Sequence, residues 1–135
     1  MGKDDMIIES AQKWAVNLEW LAANNRSLSI MAKGSLCAKC RKKLKIDEGE
    51  AKAGDVLKAV KNCCAKSPDF ITSGMPLHES IFRVFLANGN QPLTLDQISN
   101  QLNDRRGIDA YRTSATVLSR LLRHDQHYGL RVASD

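Results

Sequence analysis

Hydrophobic positions in the first stretch of the chain recur at helical spacing. Ile7, Ala11, Trp14, Leu18 and Leu21 are separated by 4, 3, 4 and 3 residues, which predicts a helix over residues 4–24. Asp4, Asp5 and Glu9 fall in or near its first turn, where the backbone dipole favours negative charge. Asn24 and Asn25 suit its end. Trp14 belongs to the inner face and Trp20 points towards a second layer. A second amphipathic pattern covers residues 49–66. Ala53, Val56, Leu57, Val60, Cys63 and Cys64 share one face, with Lys52, Lys58, Lys61 and Lys66 elsewhere. Pro68 disfavours helical geometry at Ser67, so this helix should stop near Lys66.

Three more helices and a strand are predicted further on. Ile81, Phe82, Phe85 and Leu86 make the core face of a helix over 77–88, closed by Asn88-Gly89-Asn90. Thr94-Leu95-Asp96-Gln97 has the form of a capping box and opens a helix with Leu95, Ile98 and Leu102 inward. After a turn at Arg105–Asp109, Thr113 or Ser114 caps a third helix with Val117, Leu118, Leu121 and Leu122 facing in. Tyr128–Val132 reads as a short strand. The stretch from Ser67-Pro68 to Gly74-Met75-Pro76 is dense in turn residues. It divides the chain into a helical domain over 1–70 and a second module over 75–135.

Charge sharpens this division. The 135 residues carry a net +5. All the lysines lie at or before Lys66, and only arginines carry positive charge after it. Residues 1–74 are net +4 and residues 75–135 net +1. A basic chain permits a polyanionic partner without requiring one. The longest apolar runs are about four residues, against the ~20 that a spanning helix needs, so no membrane association is expected. The N-terminus shows no apolar leader, so the expected compartment is the cytoplasm. Cysteines there point to metal or free thiols before disulfides.

All four cysteines fall in the first half, as C-x2-C-x22-C-C: Cys37, Cys40, Cys63 and Cys64. The Cys37–Cys40 pair, followed by basic residues and Leu44, resembles a zinc knuckle. That resemblance implies a structural Zn2+ held by all four thiolates. Adjacent cysteines on a regular helix point about 100° apart. Both Cys63 and Cys64 can reach one ion only if the last helical turn unwinds, which the approach of Ser67-Pro68 allows. Otherwise one of them ligates and His78 or Asp69 completes the site. An iron–sulfur cluster, a redox pair, or unligated cysteines packed on the Val56/Val60 face are the alternatives. Lys39, Arg41, Lys42, Lys43 and Lys45 crowd the knuckle, and an anionic partner would relieve their repulsion. His124 and His127 have a spacing that metals can use, but the helix dipole alone favours histidines at a C-terminal end.

Taken in order, the helix over 77–88, the "PLTLDQISNQLN" helix, the turn, the "YRTSATVLSRLLRHD" helix and the final strand resemble the winged helix-turn-helix superfamily over residues 76–133. That resemblance implies a mainly α fold with a three-helix module and a minimal β wing. By position, it also implies that Arg112, Thr113, Thr116, Arg120 and Arg123 face DNA on the third helix, with Arg131 on the wing. Lys42 and Lys43 would hold phosphates. No Walker, dinucleotide, nucleophile-elbow or H-E-x-x-H motif is present, and no carboxylate pair lies on an apolar face, so catalysis is not expected. The expectation is a small DNA-binding or transcription-associated protein. Its rivals are a zinc-stabilised adaptor that docks a protein partner, and a metal or redox sensor using the cysteines. A homodimer through the Ile7/Trp14/Leu18/Leu21 stripe is a further expectation.

Overall fold

The computed structural model describes residues 12–48, 51–107 and 113–133. Its helices are α1 (Leu18–Ala23), α2 (Leu28–Met31), α3 (Ala38–Leu44), α4 (Ala53–Asn62), α5 (Leu77–Ala87), α6 (Leu95–Arg106) and α7 (Ala115–Arg123). Short 3-10 turns occupy Lys33–Ser35, Ile46–Glu48 and Cys64–Lys66. Three short strands, β1 (Lys13–Val16), β2 (Leu93–Thr94) and β3 (Leu130–Val132), form one antiparallel sheet in the order β2-β1-β3. The fold is therefore mainly helical with a small sheet.

The first predicted helix is corrected. Residues 4–11 lie outside the described residues, and the rest divides into a strand and a short helix. Lys13 pairs with Thr94 and Trp14 with Leu93 on one side. Trp14 pairs with Val132 and Val16 with Leu130 on the other. Both edges of β1 are thus satisfied by partners distant in sequence, and this overrides local helical spacing. Trp14 and Val16 alternate inward as a strand requires, while Leu18, the next member of the presumed helical stripe, is left 40% exposed. Asn17 then caps α1, its side chain accepting from the Trp20 N–H at 3.0 Å.

The C-terminal helices lie where the pattern put them. Thr94 forms the capping box of α6: its hydroxyl accepts from the Gln97 N–H at 3.2 Å, and the Gln97 side chain accepts from the Thr94 N–H at 2.9 Å. Ser114, rather than Thr113, caps α7. Val117, expected inward, is 41% exposed, and Leu118 and Leu122 carry the buried face.

One cluster of buried side chains links the two sequence halves. It runs from Trp14, Val16 and Leu28 through Val56, Val60 and Phe70 to Phe82, Phe85, Ile98, Leu118 and Leu130. Helix α5 packs against α4, α6 and β1, and its Ile81, Phe82, Phe85 and Leu86 are almost fully buried. The phenylalanine face thus joins the lysine-bearing half to the arginine-bearing half.

Two polar side chains outside the predicted motifs hold the sheet. Asn90, at φ 60°, lends its amide to β1: Oδ1 accepts from the Val16 N–H and Nδ2 donates to the Val16 carbonyl, both at 2.9 Å. Asn tolerates this left-handed backbone better than most residues. Asp125 is buried at 3% exposure. Its carboxylate accepts from the N–H groups of His127, Tyr128 and Leu130 at 3.3, 3.1 and 2.9 Å. Beyond that turn, Gly129 has φ 72°, and a Cβ there would lie 3.1 Å from Leu21 and 3.2 Å from the Trp20 ring.

Gly129→Ala combines an unfavourable φ with a steric clash, and should lower unfolding stability by about 1–3 kcal/mol in denaturant titrations. Gly54→Ala, on α4 with nothing within 4 Å of the added Cβ, should be neutral or stabilising by up to about 1 kcal/mol. Equal losses in both variants would contradict the role given to the Gly129 backbone.

Candidate metal centre

The four thiols come from the start of α3 and the end of α4. Cys37 is the N-cap of α3 with extended backbone (φ −70°, ψ 161°), and Cys40 lies one turn in. Helix α4 ends at Asn62. Cys63 leaves helical geometry (φ −134°, ψ −69°), and Cys64 opens a 3-10 turn that ends at extended Ser67 before Pro68. This is the unwinding that adjacent cysteines need in order to face one point.

The sulfurs of Cys37, Cys40, Cys63 and Cys64 all lie within 4.8 Å of one another. Cys37 Sγ is 3.8 Å from Cys63 Sγ and 3.6 Å from Cys64 Sγ. Four sulfurs around a tetrahedral ion with ~2.3 Å bonds would sit about 3.8 Å apart, so the spacing suits a metal ion. The Cys37 N–H also donates to Cys64 Sγ at 3.3 Å, stabilising charge on that sulfur. Among the described residues, the group that could hold an ion comprises the four cysteines without Asp69 or His78, and His78 Nε2 instead lies 3.3 Å from the Leu121 carbonyl.

The thiols differ in ease of deprotonation. The Cys40 backbone N–H, followed by the Cys40 and Cys64 thiols, lowers Cys37 to about 7. Burial pushes Cys40 and Cys64 up. A metal binding here must therefore displace protons from the two buried sulfurs.

A cleft of about 350 Å³ borders the cluster, lined by Cys40 and Cys63, by Leu44 and Ala59, and by Lys39, Lys43, Lys58 and Asp55. Lys42 and Lys43 are exposed on α3, as expected. Arg41 and Lys33 instead pair with Asp47, Arg41 at 3.7 Å. The Lys33 ammonium beside Asp47 holds its carboxyl below the usual carboxylate range.

The other nominated residues separate. Arg112 lies outside the described residues. Thr116, Arg120 and Arg123 are exposed on α7. Thr113 is buried at 7%. Its carbonyl accepts from the Ser99 hydroxyl and its N–H donates to Asn103 Oδ1 at 3.1 Å, so it joins α7 to α6 and is not presented outward. Arg131, on β3, is tied to its neighbours. Its Nη1 donates to the carbonyls of Asp125 and Leu130 at 2.9 and 2.8 Å, and its guanidinium stacks 4.5 Å from the Trp20 ring. Asp125 escaped the sequence reading because it sits between two histidines that drew attention as possible ligands. The Gly129 that follows was the available sign of a tight turn there.

In metal-free, reduced protein, Cys37 should alkylate faster than Cys40 or Cys64 at pH 7, as followed by peptide mass spectrometry. Because its pKa is lowered, its rate should climb as pH rises through about 7 and flatten above it, whereas the two buried thiols should still be gaining rate. A uniform profile across Cys37, Cys40 and Cys64 would contradict the arrangement. Among the described residues, no helix is long and apolar enough to cross a membrane. Comparisons with family models, curated proteins and solved structures found no match to this chain.

Proposed function

We propose that Cys37, Cys40, Cys63 and Cys64 hold one zinc ion in a closed structural site, and that the chain is a non-catalytic DNA-binding protein of the winged-helix kind. The convergence of four sulfurs at tetrahedral spacing carries the zinc reading. Four protein ligands leave no open coordination position, which argues for a structural role. Zinc with four thiolates would bear a net charge of about −2, and the cleft beside Cys40 and Cys63 carries Lys39, Lys43 and Lys58 against one carboxylate, Asp55.

The DNA reading is supported by α7. Leu118 and Leu122 are buried, while Thr116 and Arg120 project from the opposite, exposed face. The helix follows α6 and packs on it. In this reading Thr116 and Arg120 meet the major groove, and Lys42 and Lys43 add phosphate contacts from α3. Val117, 41% exposed on the same helix, favours a second reading in which α7 docks a protein partner.

Reduced protein purified without added metal should carry one zinc per chain by elemental analysis. Cys64→Ser should lose both the ion and thermal stability. A brown protein containing iron, or a metal-free one of unchanged stability, would exclude the zinc site. Binding to mixed-sequence duplex DNA, followed by fluorescence anisotropy, should weaken steeply with salt. Arg120→Gln should reduce the slope of log K against log salt by about 1. Weak binding that ignores both salt and Arg120→Gln would leave the docking reading in place.

A further inference from the structure

The four sulfurs are unequally protected. Cys40 and Cys64 are buried at 6% and 3% exposure. Cys37 is half-buried and Cys63 is exposed. The exposed Cys63 Sγ lies 3.8 Å from Cys37 Sγ and borders the cleft lined by Lys39, Lys43 and Lys58. A permanent staple is best served by sulfurs that solvent cannot reach. Here one of the four residues, Cys63, is exposed, and the Cys37 sulfur is already close enough to pair with its sulfur after a small shift. Oxidation at thiolates follows exposure and thiolate character, and metal coordination keeps a cysteine in its thiolate form.

We infer that Cys63 and Cys37 form an oxidation site for small hydroperoxides, at which disulfide formation expels the metal. The inference rests on the zinc reading above. In the first step, Cys63 Sγ attacks one oxygen of the peroxide. The terminal oxygen is the one attacked: the O–O bond breaks, Cys63 becomes a sulfenic acid, and the hydroxide or alkoxide released takes a proton from solvent to leave as water or an alcohol. In the second step, Cys37 Sγ attacks the Cys63 sulfur. The S–S bond forms, the S–O bond breaks, and a hydroxide is protonated to water. Two thiolates give up two electrons, the peroxide accepts them, and two protons are consumed. The ion is left with only the sulfurs of Cys40 and Cys64 and passes to any competing chelator.

The test uses the full-length, reduced, zinc-loaded chain, treated with hydrogen peroxide beside a chromogenic zinc chelator. Cysteine pairing is mapped by peptide mass spectrometry. The expected result is one zinc released per disulfide, with the link between Cys37 and Cys63. A disulfide confined to Cys40 and Cys64, or zinc retained under excess peroxide, overturns the inference and leaves the zinc reading standing. Protein that never carried zinc overturns that reading, and the inference with it. Cys63→His keeps a metal-binding group and removes the oxidisable one, so it should hold zinc and release it at least about tenfold more slowly. Release at the wild-type rate would remove Cys63 as the point of entry. If Cys63→His holds no zinc, the wild-type pairing map decides alone.

Discussion

Two cysteines adjacent in sequence can face one point only where the helix that carries them stops. Here α4 ends at Asn62, Cys63 leaves helical geometry and Cys64 begins a 3-10 turn, and much of the surrounding structure follows from that break. The end of α4 lies against the start of α3, and Lys39 and Lys43 of α3 share one cleft with Lys58 of α4. The break also directs the chain along Ala65 and Phe70, where α6 comes to rest. Arg105 Nη1 donates to the Ala65 carbonyl at 3.0 Å, and the Arg105 and Arg83 guanidinium groups lie 5.6 and 5.7 Å from the Phe70 ring. Arg106 adds a bond to the Ser73 carbonyl at 2.9 Å. The segment that follows the cysteines is thus the support for the C-terminal end of α6.

The sheet ties the chain together at a second place. A two-residue strand and a three-residue strand would have little stability alone. β1 lies between them and supplies hydrogen-bond partners on both sides. Asn90 continues the ladder with a side-chain amide where β2 has not yet begun. Asp125 satisfies the N–H groups of the turn leading to β3, and Arg131 closes over it while stacking on Trp20. Helix α5 packs on β1 and also on α4, and Cys40 and Cys64 share one buried cluster with Leu118 and Leu122 of α7.

The positive charge is divided between two settings. Beside the cysteines, Lys39, Lys43 and Lys58 line one cleft together with Asp55. Arg83, Arg105, Arg106 and Arg131 are engaged with carbonyls and aromatic rings. A net +5 therefore overstates the charge offered to a partner, and the outward residues of α7 and α3 matter more than the total.

The sequence by itself determined α5, α6 and α7, because their apolar positions repeat at helical spacing and their ends carry recognisable caps such as the Thr94–Gln97 box. It also pointed to the four cysteines as one cluster, but left open whether both Cys63 and Cys64 would face the same point; the break in the backbone after Asn62 settled that they do. Only the tertiary structure decided that residues 13–16 are a strand. Hydrogen bonds to partners about 80 and 115 residues away outweigh a local helical pattern, and no local pattern encodes them. The roles of Thr113, Arg131, Asn90 and Asp125 were equally hidden. A polar side chain reads the same in sequence whether it meets solvent or a buried backbone group, and only packing determines which it finds.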